Sequence, residues 1–330
     1  MKTHLPLLLT LTTLLAAPVY AQPSPQFAFP VDCTLGTNCW IANYVDTDPA
    51  PDSHKDFKCG GKTYENHKGT DFALRNYAEM EKGVDVLAAK AGTVLRLRDG
   101  ENDKLKTRAE LENISTANKD CGNGIVLDHG SGLLSYYCHL KDGSITVTPG
   151  QKIEEGQKIA QIGQSGYAEF PHLHLTLIWE GSHIDPFTGL AKEEGCGNFK
   201  DNLWKDDLAY APYAIFDGGF SSRVPDFKTI EAGTPDQNRP SLAGEAFVFW
   251  VSFYQVEKDS EITLTIKDPK GGIFAHTVTT QDKHAARQHY YTGRKLNAHT
   301  RLISGTYTGI ATIKYAGEAP QSAEYKIEIK

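Results

Sequence analysis

Residues 170–177 read FPHLHLTL, an apolar run in which Leu173 separates His172 from His174. In a β-strand, side chains at positions i and i+2 point to the same face. Both imidazoles would therefore project together, and the leucines of the run would face the other way. An isolated pair of this kind is more often two partly buried histidines than a site. The rest of the chain must decide between these two interpretations.

Two other stretches carry residues that could join this pair. In ENHKGTDFAL, His67 and Asp71 are four positions apart, and Gly69 with the following TDFAL favours an extended backbone that turns both to one side. In LSYYCHL, His139 continues the alternation of Tyr137 on one strand face. These side chains can converge if their strands are neighbours in a sheet.

Zinc hydrolysis is the chemistry that this set of residues suits. A catalytic zinc site typically has three His or carboxylate ligands and a fourth position for water. His67, Asp71 and one imidazole of the H-x-H strand give that count. Zinc lowers the pKa of a bound water from roughly 15.7 to about 7 and polarises a carbonyl group. Two imidazoles remain for proton transfer and oxyanion stabilisation. The sequence has no H-E-x-x-H motif, so no glutamate base on a helix is available and histidine is the natural replacement.

Five segments resemble, in this order, the lysostaphin/LytM-type zinc metallopeptidases, also called the β-lytic family, whose members cut peptide cross-links in bacterial cell walls. They are HKGTDFAL, DVLAAKAGTV, LDHGSGLLSYYCHL, GQKIAQIGQSG and PHLHL. The resemblance implies that His67, Asp71 and His174 bind one zinc ion per catalytic domain. It implies that His139 and His172 are the catalytic base and the transition-state stabiliser, without distinguishing between them. It also implies a compact β domain with the site in a groove between sheets.

Short apolar or β-branched runs broken by glycine predict a mainly β chain with two domains. We expect an antiparallel β metallopeptidase domain over 59–196, with a polar, helix-favouring insertion at about 101–120. An immunoglobulin-like β-sandwich is expected over 229–330, docked on the first domain or on the cell envelope. Residues 22–58 would form an irregular N-terminal segment held by cysteines, and residues 197–228 would connect the two domains.

The N-terminus has the features of a secretory signal peptide. Lys2 precedes an apolar core that ends in the small-residue pattern VYA, which predicts a signal peptide over residues 1–21. We therefore expect a protein exported to the periplasm or secreted. No later run is apolar and long enough to predict a membrane span.

The cysteine pattern fits an exported protein. The six cysteines are Cys33, Cys39, Cys59, Cys121, Cys138 and Cys196. None forms a C-x-x-C pair, so we interpret them as up to three disulfides, for which fifteen connectivities are possible. Cys121 and Cys138 flank a predicted hairpin and are the first pair chosen. Cys33 with Cys39 is the next choice. Cys59 would then pair with Cys196.

The predicted function is that of an exported, monomeric zinc endopeptidase that hydrolyses cross-links between peptidoglycan stem peptides. The formal net charge of −7 and the lack of a basic run with interleaved aromatics argue against a nucleic-acid partner. Two alternatives stay open. One is a non-catalytic module of the same fold that binds the cell wall or activates an amidase, which the complete ligand set argues against. The other is an exported peptidase for soluble peptides.

Overall fold

The computed structural model describes residues 26–104, 106–233, 240–242, 244–315 and 317–330. The signal peptide expected over residues 1–21 lies outside these ranges. The described chain is mainly β, as predicted. Across these ranges, no helix combines the length and the apolar character that crossing a membrane requires.

An antiparallel sheet forms the centre of the first half of the chain. Its strands and those packed on it are β1 (Cys39–Asn43), β2 (Thr70–Leu74), β3 (Asp85–Leu87), β4 (Gly92–Arg98), β5 (Gly124–Asp128), β6 (Leu133–Cys138), β7 (Lys152–Ile153), β8 (Lys158–Gln161), β9 (His172–Trp179), β10 (Ser182–Asp185) and β11 (Leu190–Ala191). The sheet order is β1-β2-β9-β6-β5-β4-β7. Strand β10 pairs with β9 and β11, and β3 pairs with β8 separately. The helices of this half are α1 (Tyr77–Lys82), α2 (Arg108–Thr116) and a 3₁₀ turn (Lys192–Glu194).

Strand β9 lies at the middle of this sheet and separates the core from the site. Leu173, Leu175 and Leu177 are at most 1% exposed and join the main hydrophobic core. The alternate residues, which include both histidines, face the opposite side. Period-2 alternation therefore explains why one short strand supplies both apolar core and polar chemistry.

The segment 22–58, expected to be irregular, contributes strand β1 to the same sheet. Trp40 lies opposite Ala73, and Asn43 lies opposite Asp71 of β2. All five residues of β1 are buried. A short strand that is buried on both faces shows no apolar–polar alternation, so the usual sequence signal is missing. Strand β1 brings Asn43 next to the residues predicted to bind metal.

The insertion predicted at about 101–120 contains a short helix, as its composition suggested. Helix α2 begins after Thr107, whose side chain accepts a hydrogen bond from the Glu110 backbone N–H. The Glu110 carboxylate in turn accepts from the Thr107 backbone N–H. This reciprocal capping box satisfies two backbone donors that the first turn of a helix leaves free.

The three disulfides have the predicted connectivity. Cys33 is bonded to Cys39. Cys59 is bonded to Cys196. Cys121 is bonded to Cys138. The last bond joins the end of the insertion to the end of β6, directly before His139.

Two further antiparallel sheets form the second half of the chain. Their strands, with one helix between them, are β12 (Ala214–Ser221), α3 (Phe227–Ala232), β13 (Ala246–Val256), β14 (Glu261–Lys267), β15 (Ile273–Thr280), β16 (Ala285–Lys295), β17 (Gly305–Lys314) and β18 (Gln321–Ile329). The sheet orders are β12-β13-β16 and β15-β14-β17-β18. One core draws on both sheets, with Phe247, Phe249, Leu264 and Tyr307 among its members. Strand β12 begins inside the segment that was expected only to connect domains. The immunoglobulin-like classification stays a prediction.

The second half packs directly on the sheet that carries the histidines. An apolar cluster at the contact contains Trp40, Ala42, Ala73, Phe170, Ala214, Phe216 and Tyr254. The Tyr254 hydroxyl donates to the Leu74 carbonyl oxygen over 3.0 Å. Arg287 forms a buried ion pair with Glu231 at 2.6 Å and donates to the Arg75 carbonyl oxygen. The C-terminal sheets thus dock on the site-bearing half, which is one of the two locations expected for them.

Candidate metal centre

Strand register brings the predicted site residues together. Strand β9 runs between β2 and β6, and His174 lies opposite Asp71 on one side and Cys138 on the other. His67 precedes β2, and His139 directly follows β6. The fragments that are distant in sequence therefore meet around a single position on β9.

Three side-chain atoms converge tightly at this position. His67 Nε2 lies 3.2 Å from Asp71 Oδ1 and 3.1 Å from His174 Nδ1. His174 Nδ1 lies 2.9 Å from Asp71 Oδ1. These three residues form the candidate metal-binding group found among the described residues. Tetrahedral ligands at zinc bond lengths of about 2.0–2.2 Å stand about 3.3–3.6 Å apart, so small shifts of these side chains would fit the donor set to a zinc ion.

The surrounding hydrogen bonds turn lone pairs toward the centre. His67 Nδ1 lies 2.6 Å from the Tyr44 carbonyl oxygen, which can only accept, so Nδ1 carries the proton of the neutral ring and Nε2 the lone pair. His174 Nε2 contacts Thr176 Oγ1 at 2.9 Å. Asn43 Nδ2 donates to Asp71 Oδ2 over 2.8 Å, which leaves Oδ1 for the centre. Converging lone pairs repel each other unless a cation lies between them, and such outer partners are typical of metal sites.

Gly69 allows the backbone before β2 to approach the ring of His174. A Cβ atom at this position would lie 2.6 Å from His174 Nε2 and 2.6 Å from the Leu175 carbonyl oxygen. Neither atom can move without disturbing the site or the strand pairing. The glycine of the H-x-G-x-D stretch is therefore required by packing.

His172 and His139 lie beside the three converging residues. Their ring centroids are 4.6 Å apart, and His172 Nε2 is 3.6 Å from Asp71 Oδ1. His172 Nδ1 donates to the Phe170 carbonyl oxygen over 2.8 Å. His139 Nδ1 donates to the Ser165 carbonyl oxygen over 2.8 Å. In the neutral form, each ring therefore has its lone pair on Nε2.

His139 reaches the site by a route that strand alternation did not predict. Strand β6 ends at Cys138, and His139 has a φ of 61°, in the left-handed region. Its backbone N–H donates to the Cys121 carbonyl oxygen over 2.8 Å. Tyr137, whose face His139 was expected to share, is fully buried in the core. The left-handed turn, which histidine adopts more readily than most residues, redirects the imidazole from the core to the site.

Burial and neighbouring charges set the protonation states of the cluster. Burial lowers the pKa of His139 well below its usual value, and the charges of His172 and His174 lower it further. Burial also lowers the pKa of His174, against the opposing effect of Asp71. Burial would raise the pKa of Asp71, but the charges of His67 and His172 and the contact with His174 outweigh it and hold that pKa well below its usual value. An ionised carboxylate at Asp71 and a neutral imidazole at His174 are the states that metal binding requires.

Two exposed tyrosines are candidates for contact with a bound chain. Tyr64 is 51% exposed, and its ring lies against that of His67 at a centroid distance of 4.4 Å. Tyr167 is also exposed. Both can contact a bound chain without entering the core.

Sequence analysis did not identify three residues that form hydrogen bonds with the centre. Thr176 could have been found, because it continues the alternation of His172 and His174 along β9. Tyr44 contributes only a backbone carbonyl, which leaves no trace in residue type. Asn43 lies 28 positions from its partner Asp71, and nothing local marks it.

The geometry defines a sheet-borne metal centre of two histidines and one aspartate with two more histidines at its edge. Residues 65–186 match the family model described as Peptidase family M23. This match confirms, for this part of the chain, the lysostaphin/LytM-type resemblance of the sequence.

The alignments with named relatives cover about a third of this chain. The chain is 31% identical over 119 residues to the peptidoglycan DD-endopeptidase ShyA of Vibrio cholerae, covering 36% of this chain and 22% of the relative. It is 27% identical over 105 residues to the murein hydrolase activator NlpD of Escherichia coli, covering 32% and 24%. The chain therefore spans less than a quarter of the length of either protein. The solved catalytic domain of lysostaphin from Staphylococcus simulans aligns at 22% identity with a TM-score of 0.28, covering 44% of this chain and 85% of that one.

Proposed function

We propose that this chain is an extracytoplasmic zinc endopeptidase that hydrolyses peptide cross-links of bacterial peptidoglycan. The observation that carries the proposal is the convergence of His67 Nε2, Asp71 Oδ1 and His174 Nδ1 with two further imidazoles beside them. These three atoms would hold one zinc ion.

A zinc ion held there supplies Lewis acidity to a substrate carbonyl and lowers the pKa of its water to about 7. The protein supplies the proton transfers. His139 and His172 each have Nδ1 fixed by a backbone carbonyl, so Nε2 of one ring can accept the proton of the attacking water. The other ring, protonated on both nitrogens, donates from Nε2 to the oxygen that becomes negative. The C–N bond then breaks, and the abstracted proton passes to the leaving amine.

Two observations support the proposed substrate and location. The DD-endopeptidase ShyA, a relative, is named for action on peptidoglycan. Three disulfides suit an oxidising compartment, because cytosolic thiols are kept reduced.

The test is incubation of the purified protein with purified cell-wall sacculi and, separately, with soluble oligopeptides, each with and without a chelator. Mass spectrometry of the released fragments identifies the bond cut, and His172→Ala serves as the matched inactive protein. We expect cross-linked fragments to be converted to uncross-linked ones only when metal is present. Zinc-loaded protein that cuts nothing would favour the non-catalytic module, as in a murein hydrolase activator. Cleavage confined to soluble peptides would favour the general peptidase.

A further inference from the structure

We propose that Gln255, in the C-terminal half of the chain, is a positioning residue for the metal-binding carboxylate of Asp71 and acts on it through Asn43. The inference rests on the proposed function, because it assigns a role toward the metal of that site. In this role, the C-terminal sheets would help to shape the metal centre as well as dock on the first half of the chain.

A continuous set of hydrogen bonds links the two halves. Gln255 Nε2 donates to Asn43 Oδ1 over 2.7 Å and to the Ala42 carbonyl oxygen over 2.6 Å. Asn43 Nδ2 donates in turn to Asp71 Oδ2 over 2.8 Å. Gln255, Asn43 and Asp71 are 0%, 4% and 2% exposed, so bulk water does not compete for these bonds.

The direction of the bonds gives Gln255 its effect. The Asn43 amide has an oxygen at one end and an NH₂ group at the other, and it can be turned either way. Because Gln255 donates to the oxygen, the NH₂ group must face Asp71. A reversed amide would place its oxygen against the carboxylate, where the two would repel. Gln255 therefore fixes the orientation in which Asn43 holds Oδ2 and leaves Oδ1 for the metal.

The backbone of Gln255 adopts a conformation that side chains other than glycine rarely take. Its φ is 55°, although it lies near the end of β13. Tyr254 and Val256 on either side remain paired with β16. A left-handed residue inside a paired strand persists only where the surroundings require it, and such residues concentrate at functional sites. Here the conformation accompanies a side chain directed at Asn43.

The neighbouring residue provides a matched control. The Tyr254 hydroxyl donates to the Leu74 carbonyl oxygen across the same contact between the two halves. Its ring also packs against Phe216 with centroids 4.1 Å apart. Tyr254→Phe removes one buried interdomain hydrogen bond and keeps the ring, without touching the bonds that lead to Asp71.

The experiment measures zinc affinity by competition with a chromogenic chelator in the full-length protein, alongside the thermal midpoint and kcat/KM. The variants are Gln255→Met, Asn43→Ala, their combination and Tyr254→Phe. We expect Gln255→Met to weaken zinc binding about tenfold, as changes to outer partners of metal ligands typically do. Tyr254→Phe should leave zinc affinity unchanged while lowering the thermal midpoint. The double variant should bind zinc no more weakly than Asn43→Ala alone, because Gln255 acts only through Asn43.

Gln255→Asn serves if Gln255→Met does not fold, because asparagine tolerates positive φ and its shorter amide cannot reach Asn43. Zinc affinity of a Gln255 variant equal to that of Tyr254→Phe would overturn the inference and leave the proposed function standing. Additive losses in the double variant would overturn it in the same way. If the unaltered protein binds no zinc in this titration, the proposed function fails and the inference fails with it.

Discussion

His172 and His174 lie two residues apart on one strand, yet different ring nitrogens of the two form hydrogen bonds with their neighbours. Nδ1 of His172 donates to the Phe170 carbonyl oxygen, whereas Nε2 of His174 contacts Thr176 Oγ1. His174 therefore presents Nδ1 to His67 and Asp71, and His172 presents Nε2. This difference fits the proposed roles of His174 as a ligand and His172 as a proton carrier.

Replacing the two histidines separately should separate metal binding from catalysis. His174→Ala removes a ligand atom, so we expect loss of both zinc retention and cleavage. His172→Ala keeps all three ligand atoms and should retain one zinc per chain while losing about 10²–10⁴ in kcat. Zinc stoichiometry by elemental analysis, together with cleavage rates, checks both outcomes. Loss of zinc in His172→Ala would show that the division is wrong.

Thr176 should matter through its bond to His174 Nε2. Thr176→Val has nearly the same shape but lacks the hydroxyl, and we expect it to weaken zinc binding by about 10–100-fold. Thr176→Ser keeps the hydroxyl and should bind zinc nearly as well as the unaltered protein. Chelator competition measures both variants. Equal affinity of the valine and serine variants would contradict a role for this hydrogen bond.

The Cys121–Cys138 disulfide should support both stability and the position of His139. The cysteines are 17 positions apart, and closing a loop of this size stabilises a fold by about 3 kcal/mol. The His139 N–H also donates to the Cys121 carbonyl oxygen. The double change Cys121→Ala and Cys138→Ala should lower the free energy of unfolding by about that amount and reduce kcat, with zinc content unchanged. A fall in activity that simply parallels loss of zinc would argue against this account.

Asp185 should make stability depend on pH. Burial raises the pKa of this fully buried carboxyl group to about 7, against the hydrogen bonds from the Phe187 N–H and the Thr188 hydroxyl. The folded state thus favours the protonated form, and this contribution to stability is present below the usual pKa near 3.8 and is lost as pH rises through about 7. Above this pH, the loss in the free energy of unfolding approaches about 4 kcal/mol.

Asp185→Asn removes this titration. Its free energy of unfolding relative to the unaltered protein should therefore rise between about pH 4 and pH 7 and level off above that range. Chemical denaturation across this interval measures the difference. A difference that stays constant over this range would show that folding does not raise the pKa of Asp185.

The ligand set could be predicted from the sequence because its signals are local. The two-residue spacing of His172 and His174 and the four-residue spacing of His67 and Asp71 each fix a face of one strand. His139 was predicted to join the site, but its left-handed backbone was not, since alternation alone would have sent it toward the core. Strand β1 escaped prediction because it is buried on both faces.

The support of the metal centre from the C-terminal half could not be predicted in this way. The bonds that lead from Gln255 to Asp71 join three distant segments, and the bond from Gln255 to Asn43 depends on how two sheets pack on each other. Residue type and spacing carry no information about that packing.

Diffraction data from zinc-loaded crystals, collected above and below the zinc absorption edge, test the central claim most directly. We predict one anomalous peak per chain at about 2.0–2.2 Å from His67 Nε2, Asp71 Oδ1 and His174 Nδ1, with His139 and His172 near the metal but not bonded to it. Absence of a peak in this position, or a metal bonded to His139 or His172 in place of one of the three, would contradict the account.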